Sequence, residues 1–261
     1  MVRLGLVLPS RPRSWAELVA LARHAEAAGV ASLWLADPPP GPAGALEPLT
    51  ALAGLARLTA RPRLGALGLD AGRRPPGVLA KALATLDGLS GGRLVVALAP
   101  AGPGAEAAGQ LAEVVAVLRA AFAGGSVDHR GRWHRLEGLR VAPPPLQRAG
   151  PPLWVLGRSD ALVTLAAAHA DGWGPGAWLA GPADLAGDPA RLAEACRRAG
   201  RDPAGVACSA AWRPPAGADP AAALPAWAAA GVADLVVDHG ALACRETNAA
   251  ARLVQAAARE E

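Results

Sequence analysis

Three short stretches of this 261-residue chain combine reactive side chains with a backbone able to present them. The first is Gly157-Arg158-Ser159. A glycine admits close approach, an arginine can grip an oxyanion in a bidentate fork, and a serine can donate its hydroxyl. Such a set at the start of a helix suits a phosphate group. A plain helix cap with a surface arginine explains the same residues. The second is Asp37, which ends an apolar run and precedes Pro38. A carboxylate there is either a binding or acid/base group, or an aspartate that caps its own loop. The third is Asp238-His239, where position at a strand end makes His239 the best-placed proton carrier, against the alternative of a loop or core histidine. His129 and His134 read as surface residues, and His24 and His169 fall inside helical segments.

The elements that must carry these residues alternate regularly. Leu4 to Leu8 is an apolar run ended by Pro9, the pattern of a strand buried on both faces of a parallel sheet. Ser14 then offers a helix cap with Glu17 at the capping-box spacing, and Trp15 to Ala28 has helical periodicity that Gly29 stops. The unit recurs. Strands are expected at Ser32–Ala36, Arg63–Leu69, Leu94–Ala99, Leu153–Leu156, Asp171–Trp173, Val206–Ala211 and Asp234–Val237. Helices are expected at Glu47–Thr59, Gly77–Leu89, Gln110–Phe122, Asp160–His169, Pro189–Ala199, Ala221–Ala230 and from about Thr247. Eight strands with as many helices favour a closed (β/α)8 TIM barrel over an open doubly wound sheet. A barrel typically takes about 250 residues, so 1–261 reads as one domain. Residues 124–151, with their triple proline, are an excursion over the surface, and 174–188 form a Gly- and Pro-rich connection at the site face.

Composition narrows the class. With 52% hydrophobic and 18% charged residues the chain has material for a substantial core and is poorly suited to disorder. There is no Tyr, one Phe and one Met, so the bulk of that core comes from Leu, Val, Ala and Trp, and each Trp is first read as packing. The net charge of +4 is spread over scattered arginines with interspersed acids, which argues against a nucleic-acid partner. Cys196, Cys208 and Cys244 lack metal-ligand spacing and read as reduced, small apolar residues. The sequence has no GxSxG elbow, no GKS or GKT loop and no close His/Cys/Asp/Glu cluster, against common hydrolases, P-loop enzymes and metal sites. No secretory signal and no membrane-spanning run is expected, so the cytoplasm is the expected compartment.

Several stretches together resemble the bacterial luciferase-like family of flavin- and deazaflavin-dependent oxidoreductases. They are AEAAGVASLW (Ala25 to Trp34) with Asp37, Glu47-Pro48-Leu49-Thr50, Arg63-Leu64-Gly65, LAKALATLDGLSGGR (Leu79 to Arg93), GPPLWV (Gly150 to Val155) and ADGW (Ala170 to Trp173). The resemblance implies a barrel that binds coenzyme F420, a deazaflavin, or FMN, with the ring laid against the end of the third strand at Ala66, Leu67 and Gly68. It implies hydride transfer to or from a small organic substrate, or monooxygenation if FMN is used. Gly157, Arg158, Ser159 and Trp173 complete the coenzyme set expected at the strand ends, and Asp37 and His239 are the catalytic candidates.

Two departures stand out against that family. Pro38 replaces a histidine that commonly follows the aspartate, and a proline side chain shuttles no proton. The loop after the fourth strand, Pro100 to Gly104, is short. Both support the alternative of a non-catalytic homologue kept as a binding protein. Relatives often form homodimers through helices, to which Ala51–Leu58 would contribute here.

Overall fold

In a computed structural model of the chain the described residues are 2–38, 44–215, 218, 220–238 and 240. The expected alternation is present. Strands β1 (Arg3–Val7), β2 (Ser32–Ala36), β3 (Arg63–Asp70) and β4 (Leu94–Ala99) alternate with helices α1 (Trp15–Ala27), α2 (Pro48–Leu58) and α3 (Pro76–Ser90). Helix α4 (Ala105–Ala123) leads into an antiparallel hairpin, β5 (Val127–Arg130) and β6 (Arg135–Leu139). Then follow β7 (Leu153–Leu156), α5 (Asp160–His169), β8 (Gly172–Gly174), the two-residue β9 (Trp178–Leu179), α6 (Asp188–Arg198), β10 (Ala207–Trp212), α7 (Pro220–Ala229) and β11 (Asp234–Asp238). Parallel pairing runs β1-β2-β3-β4-β7-β8-β10-β11, and β11 returns to β1, closing an eight-stranded barrel. The chain is a (β/α)8 TIM barrel. His239 and the helix expected from Thr247 lie outside the described residues.

Helix α4 begins at Ala105, earlier than the expected Gln110, because Gly104 at φ 97° supplies the turn directly before it. The excursion is a hairpin clamped to α4. Both carboxylate oxygens of Glu113 accept backbone N–H groups of the 132–134 turn, including Trp133 at 3.2 Å and His134 at 3.0 Å. Trp133 lies on Gly109, where a β-carbon would come within 2.5 Å of the indole. Of the Ala51–Leu58 stretch, Ala51, Leu52, Leu55 and Ala56 are buried within the chain.

Some of the residues that carry the family resemblance organise the N-terminal face of the barrel. Gly91 and Gly92, at φ 70° and 77°, end α3 and lead through Arg93 directly into β4. Arg93 donates to the carbonyls of Ala56, Thr59, Pro62 and Ser90. Asp87, fully buried, accepts from the backbone N–H and side-chain amide of Gln147 at 2.8 and 2.7 Å. Asp171 accepts from Leu153 N–H and Arg119. A buried carboxylate such as that of Asp87 is tolerable because it has N–H donors in place of water. Cys196 and Cys208 are buried free thiols, and burial pushes Cys208 up to about 12.

The barrel lumen is filled mainly by two indoles. Trp34 and Trp154 lie 5.1 Å apart between ring centroids, tilted by 38°, with Val7, Val95, Ala97, Leu156 and Val236 around them. Their bulk is accommodated by missing side chains: a β-carbon on Gly65 would fall 2.1 Å from Trp34, and one on Gly172 would fall 2.5 Å from Trp154. Trp34 Nε1 donates to Ser32 Oγ at 2.8 Å, satisfying its polar edge. The tryptophan pair therefore plugs the lower lumen and leaves the upper end open.

Candidate functional site

Two irregularities shape that open end, the C-terminal mouth where barrels of this kind hold their sites. In β3, Leu67 pairs with Ala97 but Leu69 pairs with Leu98, so Gly68 is an inserted bulge residue at φ 65°. Only glycine adopts this conformation without strain, and the bulge restores Leu69 to the helix-facing side beside Leu64 and Ala66. The second irregularity is at the sixth barrel position. Ala207 pairs with Gly172, whereas Ala211 pairs with Trp178, so Pro175-Gly176-Ala177 arch away before β9 rejoins β10.

Between these two features lies a cavity of about 480 Å³. Trp154, Leu156, Leu67 and Val236 make its apolar base; Ala36 to Pro38, Gly68 and Ala99 form one side, and Gly174 to Trp178 with Ser209 to Ala211 form the other. Strand β3 is three places from β8, whose arch carries Trp178, so Gly68 and Trp178 line the cavity from different sides of the mouth. A β-carbon built on Gly68 would meet nothing within 4 Å, so bare backbone is presented there. Gly176 is pressed against Gly157, where its β-carbon would be 3.1 Å from the Gly157 nitrogen.

The residues expected from sequence separate into distinct places. Leu67 and Gly68 line the cavity, while Ala66 is fully buried on the helix-facing side. Asp37 lines it too, yet its side chain is only 4% exposed, and its carboxylate accepts from Arg74 at 2.8 Å and from the Asp70 N–H at 3.0 Å. Arg73 stands 3.4 Å from the same carboxylate and donates to the carbonyls of Asp37 and Pro38. Arg74 also reaches Glu47, the cap of α2. Burial opposes the charge of Arg74, but its bonds to Asp37 and Glu47 outweigh this and hold it above the ordinary guanidinium range. Burial likewise pushes Glu47 up, and the Thr50 N–H and Arg74 outweigh it, leaving Glu47 below the usual carboxylate range. Asp37 thus joins the ends of β2, β3 and α2 into one rigid rim.

Gly157, Arg158 and Ser159 sit at the start of α5, just beyond the arch. Gly157 adopts φ 137° and gives its N–H to Gly174 O at 2.8 Å. Ser159 caps α5 through its side chain. Arg158 points along the surface to Asp188 at 2.8 Å and to the carbonyl of Asp184. Trp173 is buried behind this corner, outside the cavity wall, with Nε1 donating to Gly157 O at 2.8 Å. Asp238, the neighbour of His239, accepts from Arg213 at 2.7 Å.

Sequence reasoning singled out none of Trp154, Trp178 and Ser209. A continuous apolar strand such as LWVL gives no sign of which residues face the lumen. The usable signal was the pair of glycines, Gly172 and Gly65, at registers where an opposing indole needs space.

Residues 2–260 match the family model for luciferase-like monooxygenase. The chain belongs to this family. Among its relatives, pyrimidine monooxygenase RutA of Enterobacter sp. (strain 638) is 33% identical over 175 residues, which is 60% of this chain and 47% of RutA. RutA of Cronobacter sakazakii is 34% identical, with 60% and 50% covered. The chain thus spans about half the length of these relatives. The fold is similar to that of a coenzyme F420-dependent tetrahydromethanopterin reductase from Methanopyrus kandleri, with a TM-score of 0.82, 17% identity and 97% of each chain covered. It is also similar to an F420-dependent secondary alcohol dehydrogenase in complex with an F420-acetone adduct, with a TM-score of 0.80, 15% identity, and 97% and 96% covered. Among the described residues no helix is long and apolar enough to cross a membrane.

Proposed function

We propose that this chain is an oxidoreductase that binds coenzyme F420 or FMN at the barrel mouth and exchanges a hydride with a small organic substrate. The observation that carries this reading is the apolar cavity of about 480 Å³ between bare backbone at Gly68 and the indole of Trp178. A flat heteroaromatic ring fits such a slot, because the glycine bulge admits it to backbone distance and the apolar base excludes water from its face.

The tail end fits less fully. In the first turn of α5 the amides of Asp160 and Ala161 have no acceptor within the helix, a suitable setting for a phosphate. The nearby cations are engaged, Arg158 by Asp188 and Arg191 by Asp160. On this reading Arg158 fixes the corner between α5 and α6, and Arg158→Ala weakens coenzyme binding. The bound ring would supply two-electron chemistry, and with FMN and oxygen, monooxygenation. The chain orients ring and substrate and keeps the rim around Asp37 fixed.

The test is a titration of the purified protein with F420 and, separately, FMN, followed by tryptophan fluorescence. Saturable micromolar binding of one supports the reading and selects the chemistry; binding of neither overturns it. A second reading, a binding protein without turnover, is favoured by one observation. Asp37 is the sole ionisable side chain among the described residues lining the cavity, and arginines hold it. That reading expects coenzyme or substrate to bind with no change in absorbance of the reduced coenzyme.

A further inference from the structure

Trp178 is placed differently from a core tryptophan. Leu179, its neighbour in β9, is buried and holds the strand to β10 through a bond from Arg213 N–H to Leu179 O at 3.0 Å. Successive strand residues point to opposite faces, so anchoring Leu179 outward fixes Trp178 toward the cavity. The guanidinium of Arg213 stands 4.8 Å from the centroid of the Trp178 ring, and Asp238 fixes that guanidinium at 2.7 Å. One side of the indole is therefore backed by a cation locked in an ion pair, while the residue also lines a cavity able to take a ligand.

We infer that Trp178 is the specificity-determining wall for the substrate, selecting planar, uncharged single-ring compounds by stacking, with Arg213 and Asp238 as positioning residues. This rests on the proposed function, because a coenzyme ring at Gly68 leaves the substrate between that ring and the opposite wall. The wall is pre-set: the three-residue arch delivers the indole, and the Arg213–Asp238 pair backs it. A cation on the outer side draws the indole's electron density outward. The inner side then disfavours a second cation and suits a neutral ring in offset contact.

The experiment uses the full chain loaded with whichever of F420 or FMN it binds. The probes are benzamide, planar and uncharged, and cyclohexanecarboxamide, its puckered counterpart with the same amide. In the parent protein benzamide is expected to bind more tightly. In Trp178→Leu, saturated with coenzyme, its preference over the puckered probe should fall by about two- to tenfold, the loss of one aromatic contact. Trp178→Phe should retain most of the preference. Arg213→Met should lose part of it and Arg213→Lys should recover it, a pattern that a merely structural arginine would not produce. Equal preference in Trp178→Leu and the parent, or no preference in the parent, overturns the inference. If the parent binds neither coenzyme, the proposed function fails on its own, and the two probes on the unloaded chain still decide the role of Trp178. If Trp178→Leu does not fold, the Phe, Met and Lys variants carry the comparison.

Discussion

Replacing Gly65 by alanine tests the central packing claim, that the barrel is plugged by two indoles admitted by missing side chains. A β-carbon at Gly65 would lie 2.1, 2.2 and 2.5 Å from three atoms of the Trp34 ring. Ordinary contact begins near 3.4 Å, so the ring must move by about an ångström or more. Trp34 is 1% exposed and has no free direction. Trp154 is on one side, and the Gly5 backbone, whose own β-carbon would be 2.8 Å from Nε1, is on another. Overpacking of this kind costs about 1–3 kcal/mol. If the ring also loses its bond to Ser32, about 1 kcal/mol more follows. Against this stands the reduced entropy of the unfolded chain, which favours alanine by about 0.4–1 kcal/mol. The steric term wins, for a net loss of about 1–3 kcal/mol and a fall in Tm of about 2–4 °C for each kcal/mol. The assay is urea unfolding followed by far-UV circular dichroism, for Gly65→Ala, Trp34→Leu and the double variant. Trp34→Leu removes the obstacle, so the double variant should be at least about 1 kcal/mol more stable than the two single losses added together. A Gly65→Ala protein within about 0.5 kcal/mol of the parent, or strict additivity, would refute the reasoning.

Three other outcomes follow from the geometry. Asp37→Ala leaves the half-buried Arg74 with Glu47 alone and the Asp70 N–H without its acceptor, and a loss of about 1–3 kcal/mol is expected in urea unfolding. Asp37→Asn should lose less, because the amide oxygen still accepts from the Asp70 N–H. Burial pushes Glu113 up, but the backbone N–H groups of the hairpin turn and His129 outweigh it and hold Glu113 below the usual carboxylate range. A depressed carboxylate stabilises fully above its unfolded pKa of about 4.3, and the contribution is lost as pH falls through the folded value. Unfolding midpoints should thus decline below about pH 4.3, less steeply in Glu113→Gln, which should also lose about 1–3 kcal/mol at neutral pH. Asp160 opens α5 with its side chain 97% exposed beside the amides assigned to phosphate. Asp160→Asn should tighten F420 or FMN severalfold in a fluorescence titration, while stability drops by about 0.3–1 kcal/mol through the lost helix-dipole contact.

The sequence by itself determined the succession of elements and the barrel. Ser32–Ala36, Leu94–Ala99, Leu153–Leu156 and Asp160–His169 are legible to the residue because short apolar runs, caps and glycines act locally. The stretch most specific for the family, Leu79 to Arg93, reports the closure of the N-terminal face, where Arg93 and Asp87 bind neighbouring carbonyl and amide groups. Tertiary structure alone decided the site. Leu67 faces the lumen and Ala66 does not, yet both are apolar residues in a strand buried on two sides, where pattern carries no direction. Asp37 is a candidate acid in sequence, and its arginines, Arg73 and Arg74, become its partners only when the end of β3 is laid beside that of β2. Trp178 reaches the cavity through a two-residue change of register between β8 and β9 that exists only against β10. Local sequence sets which residues form strands; long-range pairing sets which side of each strand meets the ligand.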